Sequence, residues 1–221
     1  MSYNIAIDGP AGAGKSTIAK SVAKELEFIY VDTGAMYRAI ALYLIRNNIK
    51  EDEQDKISKY ATEANVEIVY ENGEQQVILN GENVSGLIRT EEVGKMASAS
   101  AKNPAVRSQL LDLQRALAQK EDVIMDGRDI GTHVLPNADI KIYLTASARE
   151  RANRRYKELK AKGIDCYLDE IERDIIARDE QDMNREIAPL KQAEDAVLID
   201  SSYMTIEEVV KEIILLYAKS K

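Results

Sequence analysis

Two features of this 221-residue chain could do chemistry: a lysine and a serine that close a glycine-rich run, and aspartates and arginines that follow short apolar runs. Gly9-Pro10-Ala11-Gly12-Ala13-Gly14-Lys15-Ser16 fits the pattern G-x-x-x-x-G-K-[ST], with Thr17 next. Glycines let successive backbone N–H groups turn toward one anion, and a helix beginning at the lysine adds its positive end. Lys15 could then reach the β- and γ-phosphates of a nucleoside triphosphate, and the Ser16 hydroxyl could bind Mg²⁺. An ordinary tight turn is the competing reading. It fails because residues 5–7 before the loop read as a buried strand. Residues 17–26 after it read as an amphipathic helix, with Ile18, Val22 and Leu26 on one face.

Further acids and bases stand where such a site would need them. Asp126 ends the apolar run 123–125, where a strand-end acid helps orient Mg²⁺ or its waters. Asp126-Gly127 alone is equally a strand-ending turn, but Arg128 and Asp129 beside it argue for a site. Asp32-Thr33-Gly34 ends another run in the same way, and Arg38 falls one turn into the following helix. Arg151, Arg154 and Arg155 are spaced i, i+3, i+4, and Arg178, Asp182 and Arg185 are spaced i, i+4, i+7, so each set should share a helix face. Solvated surface charge is the plain reading, with Glu172, Asp174, Asp179 and Glu180 as partners. Beside a triphosphate site, both donor and acceptor phosphates need cations, which favours the functional reading.

The elements that must position these groups alternate. Runs 5–7, 28–31, 123–125, 140–144 and 196–199 read as strands of a parallel sheet with helices on both faces, an α/β fold. Ser147-Ala148-Arg149-Glu150 and Thr205-Ile206-Glu207-Glu208 are capping boxes, and Asn103-Pro104 marks a helix start. One stretch breaks the alternation. Residues 66–70, 76–79 and 83–84 are short runs separated by Asn72-Gly73 and Asn80-Gly81, which predicts a small antiparallel meander inserted in the fold. Lys162-Gly163 looks like a hinge beside the arginine-rich helix.

Composition narrows the function classes. With 38 acidic and 30 basic residues the net charge is −8, and the pI is about 5.0. Such a chain is a poor match for nucleic acid or an anionic membrane. No run of apolar residues is long enough to span a bilayer, and the N-terminus enters the first strand without a leader pattern. Cys166 is the single cysteine, which fits a reducing, cytoplasmic location. His133 is the single histidine, which excludes His-based zinc sites and a Ser-His-Asp triad. Neither Asn-Lys-x-Asp nor the His-Arg-Asp and Asp-Phe-Gly pair occurs, which disfavours a GTPase and a protein kinase. A small-molecule kinase remains.

At this point the chain resembles the bacterial cytidylate kinases, a branch of the P-loop nucleoside monophosphate kinases. The likeness rests on Ile7-Asp8-Gly9-Pro10-Ala11-Gly12-Ala13-Gly14-Lys15, Asp32-Thr33-Gly34-Ala35-Met36-Tyr37-Arg38, Asp126-Gly127-Arg128-Asp129-Ile130-Gly131-Thr132, Arg178-Asp179-Glu180-Gln181-Asp182-Met183-Asn184-Arg185 and Ala188-Pro189-Leu190. The cradle is widely shared, whereas the second and third motifs are far more specific. Thr33 stands where some members have serine, keeping the hydroxyl.

The resemblance implies one three-layer domain around a five-stranded parallel sheet. It assigns a core (1–35, 105–150 and 168–221), a monophosphate-binding region with the β insertion (36–104) and a helical lid (151–167). It implies that ATP, with Mg²⁺, phosphorylates CMP and dCMP in pyrimidine nucleotide metabolism, on a monomer. Residues 9–17 would bind ATP, with Ser16 and Asp126 at the metal. Ser98, Arg107 and Asp129 would contact cytosine, although Ser98 and Arg107 otherwise read as helix-surface residues. Thr33 would also line the CMP site, Arg38, Arg128 and Arg185 would hold its phosphate, and Arg178 and Asp182 would meet the ribose. Lys15, Arg128, Arg185 and Arg155 would act on the transferred group, with Arg151 and Arg154 beside Arg155. Other acceptors (UMP, AMP or an alcohol) and a non-enzymatic nucleotide switch stay open as alternatives.

Overall fold

The computed structural model describes residues 2–221. The first half runs β1 (Asn4–Asp8), α1 (Lys15–Leu26), β2 (Ile29–Asp32), α2 (Thr33–Arg46), α3 (Gln54–Ala61), β3 (Val66–Glu71), β4 (Glu74–Leu79), β5 (Glu82–Asn83), α4 (Glu91–Ser100) and α5 (Pro104–Lys120). The second runs β6 (Val123–Gly127), a single π-helical turn (Ile130–Val134), β7 (Ile140–Thr145), α6 (Ala148–Ala161), α7 (Leu168–Met183), β8 (Val197–Asp200) and α8 (Ile206–Ser220).

Five strands make one sheet in the order β2-β6-β1-β7-β8. β1 and β7 run parallel with Ile5 opposite Ile140 and Asp8 opposite Tyr143, and β7 and β8 run parallel with Ile142 opposite Val197. These are the five expected strands, with ends shifted by one or two residues. Near-continuous apolar runs suit such strands because a parallel sheet is covered on both faces. Ile5, Ile7, Ile124, Met125 and Leu144 are fully buried. β1 therefore lies at the centre, and the loop that leaves its carboxyl end leads directly into α1.

By contact, the chain divides into two compact units: Ile29–Val123 with Ser2, and Tyr3–Phe28 with Ile124–Lys221. In the first, β3, β4 and β5 form the expected antiparallel meander, with Val66 opposite Leu79 and Ile78 opposite Asn83. Asn72 and Gly73 (φ 54° and 79°) and Asn80 and Gly81 (φ 50° and 83°) take the left-handed conformation that two-residue hairpin turns require. Helix α2 buries Met36, Ile40 and Leu44, spaced four apart and fully enclosed; each contributes roughly 1.5–3 kcal/mol of hydrophobic stabilisation. Helix α2 packs against α4 and α5.

In the second unit α1 packs on α8, and α6 on α7. Thr205 and Glu208 form both halves of a capping box at α8, and the Ser147 side chain accepts the Glu150 N–H at α6. Asn103 caps α5 in the first unit, with Pro104 in its first turn. Each such cap stabilises its helix by about 1 kcal/mol. Among the described residues, no helix is long and apolar enough to cross a membrane.

Candidate active site

The loop after β1 has the backbone that an anion cradle needs. Gly9 has φ 150°, and a Cβ there would lie 1.9 Å from the Leu144 carbonyl oxygen of β7, so no side chain fits. Gly14 is the N-cap of α1 at φ 87°, and no side chain caps that helix. Its first-turn N–H groups are left for a ligand. Lys15 is buried and donates to the Pro10 carbonyl at 2.7 Å, folded back over the loop. Burial, followed by the Arg128 charge, pushes its pKa down to about 7, although Asp126, Asp8 and Asp182 oppose this. A phosphate arriving beside that amine would restore the charged form.

Ser16, in the first turn of α1, donates its hydroxyl to Asp126 Oδ2 at 2.9 Å. Asp126 is buried in β6. A hydroxyl and a carboxylate are hard oxygen donors that suit Mg²⁺. Among the described residues no group of three or more His, Cys, Asp or Glu could hold a metal. The pair fits a cation that completes its shell with phosphate oxygens and water, as Mg²⁺ does.

Beyond β6 lies a cluster of opposite charges. Arg128 Nε donates to Asp182 Oδ2 at 2.9 Å. Arg185 reaches Asp129 Oδ1 at 3.3 Å and Asp182 Oδ1 at 3.9 Å, and all three side chains are nearly enclosed. Arg178 has a buried Nε with no hydrogen-bond partner, and burial with the Arg128 charge lowers its pKa. Arg128, Arg178 and Arg185 converge on Asp129 and Asp182, and Asp179 also acts on Arg178. An enclosed guanidinium with an unpartnered Nε favours an anion.

The i, i+4, i+7 spacing places only part of this cluster on one helix. Helix α7 stops at Met183, and Arg185 follows the cap residue Asn184. Past it, Ala188 turns at φ 46°, the Leu190 N–H bonds the Asp182 carbonyl, and Arg185 Nε bonds the Ala188 carbonyl.

The arginines of α6 share a face but have different surroundings. Arg151 is buried and pairs with Asp179 of α7 at 2.6 Å. It also donates to the Ala146 carbonyl and to the Ala11 carbonyl in the cradle, each at 2.8 Å. Arg154 bonds the Ser201 carbonyl at 2.7 Å and lies near Gly14. Arg155 is half exposed and, among the described residues, pairs only with Glu158, at 3.3 Å.

In the first unit, Asp32 caps α2 by accepting the Ala35 N–H and pairs with Arg89 at 2.6 Å. The Gln75 side chain of β4 accepts the Asp32 N–H and donates to the Asp32 carbonyl. Thr33, buried, opens α2. Arg38 donates to the Ile88 and Thr90 carbonyls at 3.0 and 3.3 Å, and its guanidinium lies against Gly94 of α4, which has no Cβ to block it. Arg107 is buried rather than on a helix surface: its guanidinium lies over the Tyr37 ring and donates to the Ala101 carbonyl. Ser98 is half-buried on α4.

Sequence reasoning missed Asp8, although it lies in a quoted motif. Its carboxylate is buried and accepts the Ile130 and Gly131 N–H groups at 2.8 and 2.7 Å. Burial raises its pKa to about 6, and those two bonds oppose the rise. The available signal was an acid as the last residue of a buried strand, immediately before the cradle.

A five-stranded α/β sheet whose central strand feeds a glycine-lysine-serine cradle, with a strand-end aspartate against the serine, defines a P-loop kinase. Solved structures share the fold at low identity: an uncharacterized protein from Eubacterium ventriosum (14% identical, all of both chains, TM-score 0.52) and a sugar kinase from Janibacter sp. (14%, 99% of this chain and 95% of that one, TM-score 0.50). The sequence model of the family described as cytidylate kinase matches residues 5–219. Among relatives named cytidylate kinase, that of Caldicellulosiruptor bescii is 51% identical over 98% of this chain and 96% of its own length. That of Alkaliphilus oremlandii is 52% identical over 95% of each. The chain belongs to the cytidylate kinase family, and it is a phosphotransferase acting on a nucleoside monophosphate.

Proposed function

We propose that the chain transfers the γ-phosphoryl group of ATP to the 5′-phosphate of CMP and dCMP, giving ADP and CDP or dCDP, within pyrimidine nucleotide metabolism. The observation that carries this reading, beside family membership, is the Arg128–Asp182 and Arg185–Asp129 cluster in the same compact unit as the Lys15–Ser16 cradle. The acceptor oxygen already carries negative charge. No general base is needed, and catalysis comes from alignment and charge stabilisation.

Residues 9–17 bind ATP, and Lys15 neutralises its terminal phosphates. Mg²⁺ would be held by the Ser16 hydroxyl, with Asp126 orienting its water, and would neutralise charge on the donor phosphates. Arg128 and Arg185 orient the acceptor phosphate, and Arg38 contributes to holding it. Arg178 and Asp182 meet the ribose, and Thr33 lines the acceptor site. Arg155, half exposed and, among the described residues, tied only to Glu158, is the α6 arginine with most freedom to close over the transferred group. That closure would exclude water, which otherwise competes as acceptor. Arg107, Ser98 and Asp129 read the base. Asp129 accepts from the cytosine 4-amino group and repels the 4-carbonyl of uracil, the kind of polar readout that separates near-isosteric substrates. The enzyme is taken to be monomeric and cytoplasmic, with a core (1–35, 105–150, 168–221), a monophosphate-binding region (36–104) and a lid (151–167).

Measuring ADP release over CMP, dCMP, UMP, AMP and a sugar alcohol tests this. Strong release with CMP and dCMP is expected. Release with another acceptor instead would reassign the substrate, and none with any acceptor despite tight ATP binding would make the protein a nucleotide switch.

A further inference from the structure

One buried ionisable group has no part in the roles above. Asp8 is the last residue of β1, directly before Gly9, and only 5% exposed. Its two carboxylate oxygens are divided between successive backbone donors, Oδ1 taking the Ile130 N–H and Oδ2 the Gly131 N–H. Those donors begin the π-helical turn that follows Arg128 and Asp129. A π-turn has wide, poorly supported backbone geometry, and such turns concentrate at functional sites. Its first N–H groups have no intrahelical partner and need an acceptor from elsewhere.

The turn lies in van der Waals contact with that carboxylate and more tightly against Lys141. A Cβ on Gly131 would stand 3.4 Å from Asp8 Oδ2 and 3.1 Å from the Lys141 side chain. The Lys141 ammonium pairs with Asp195 at 2.8 Å. Asp8 therefore sets the backbone of Ile130 and Gly131, and Asp129 is the residue immediately before them. The same side chain hangs from the strand that carries the cradle, so one rigid attachment joins the donor loop to the strand-end turn.

We propose that Asp8 is a positioning residue: by clamping the Ile130 and Gly131 amides it fixes where Arg128 and Asp129 stand relative to the phosphate cradle. It touches no substrate in this role. The proposal rests on the reading of Arg128 and Asp129 as acceptor-binding groups. Removing the clamp leaves the cradle backbone in place but lets the turn drift, so acceptor use suffers more than ATP binding, which loses only one of the charges that support Lys15. A carboxamide keeps the shape of Asp8 and accepts at one oxygen only. Its NH₂ group then faces an N–H donor, leaving a buried amide unsatisfied.

The test compares wild type, Asp8→Asn and Gly131→Ala, each first checked for native circular dichroism. KM for the acceptor and kcat are measured with whichever monophosphate the wild type uses best, and Kd is measured for a non-hydrolysable ATP analogue. Asp8→Asn should raise the acceptor KM about 10- to 100-fold, the scale of loss that misplacing binding groups by about 1 Å produces. The analogue Kd should rise by a clearly smaller factor, from the lost Asp8 charge that supports Lys15. Gly131→Ala keeps the Asp8 charge and crowds the same turn against the Lys141 side chain at 3.1 Å, so it should give the same split more weakly. Equal weakening of both ligands, or an unchanged acceptor KM in both folded variants, would overturn the proposal. Should wild type prefer an acceptor other than CMP, the substrate assignment fails while the split still judges Asp8.

Discussion

Replacing Arg151 with alanine should destabilise the protein out of proportion to a single helix arginine. Its side chain is 6% exposed and that of Asp179, its partner at 2.6 Å, is 11% exposed. Truncating Arg151 leaves the Asp179 carboxylate enclosed without its cation, and Asp179 Oδ1 already has no hydrogen-bond partner. Breaking a buried pair in this way costs about 3–5 kcal/mol. The Ala146 and Ala11 carbonyls lose their donor as well, and that loss falls within the same range. For a chain of this length each kcal/mol lowers Tm by roughly 2–4 °C, so Tm should fall by roughly 6–20 °C. Thermal unfolding followed by circular dichroism measures it. The double variant Arg151→Met/Asp179→Leu should recover much of the loss, because an apolar pair avoids the desolvation cost. A single variant that melts within about 2 °C of wild type would refute the reasoning, since that is the behaviour of an exposed ion pair.

Further outcomes follow from the site. Lys15→Ala should abolish most turnover while circular dichroism stays native, because Lys15 contributes charge to the donor phosphates and its side chain bonds the Pro10 carbonyl of its own loop. Asp129→Ala should lower kcat/KM for CMP about 10- to 100-fold, the loss of a charge-assisted hydrogen bond, with ATP affinity nearly unchanged; equal losses for both nucleotides would contradict its role. Asp8 gives a pH signature in stability. Its folded pKa of about 6 lies above the ordinary 3.8, so the folded state holds the extra proton between those values and this group's contribution falls as pH rises through that window. Urea unfolding at pH 4.5 and 7 should therefore show Asp8→Asn gaining about 2 kcal/mol relative to wild type at the higher pH; a pH-independent difference would mean that burial leaves Asp8 untouched.

Strands and turns were readable because their causes are local. The apolar runs of β1, β6 and β7 reflect burial on both faces, and both Asn-Gly pairs adopt the left-handed pair of residues that their hairpins require. Caps at Asn103, Ser147 and Thr205 were equally visible, since a side chain bonds an amide two or three positions on. Contacts across distant segments were not. Arg185 lies past the end of α7 and is held by the Ala188 carbonyl and Asp129, contacts that helical spacing cannot report. Arg151, Arg154 and Arg155 look alike in sequence, yet Asp179, Ser201 and solvent give them different surroundings. Burial of Arg107 over Tyr37, and of Asp8 under the π-turn, depends on elements far apart in the chain.

The most direct test of the central claim is the ratio of kcat/KM for CMP to that for UMP at saturating ATP, read from ADP release. Asp129 as the base-reading acceptor predicts at least about tenfold preference for CMP in the wild type, and a ratio that falls toward one in Asp129→Ala. Equal use of CMP and UMP by the wild-type enzyme would contradict the assignment of cytosine recognition to this site.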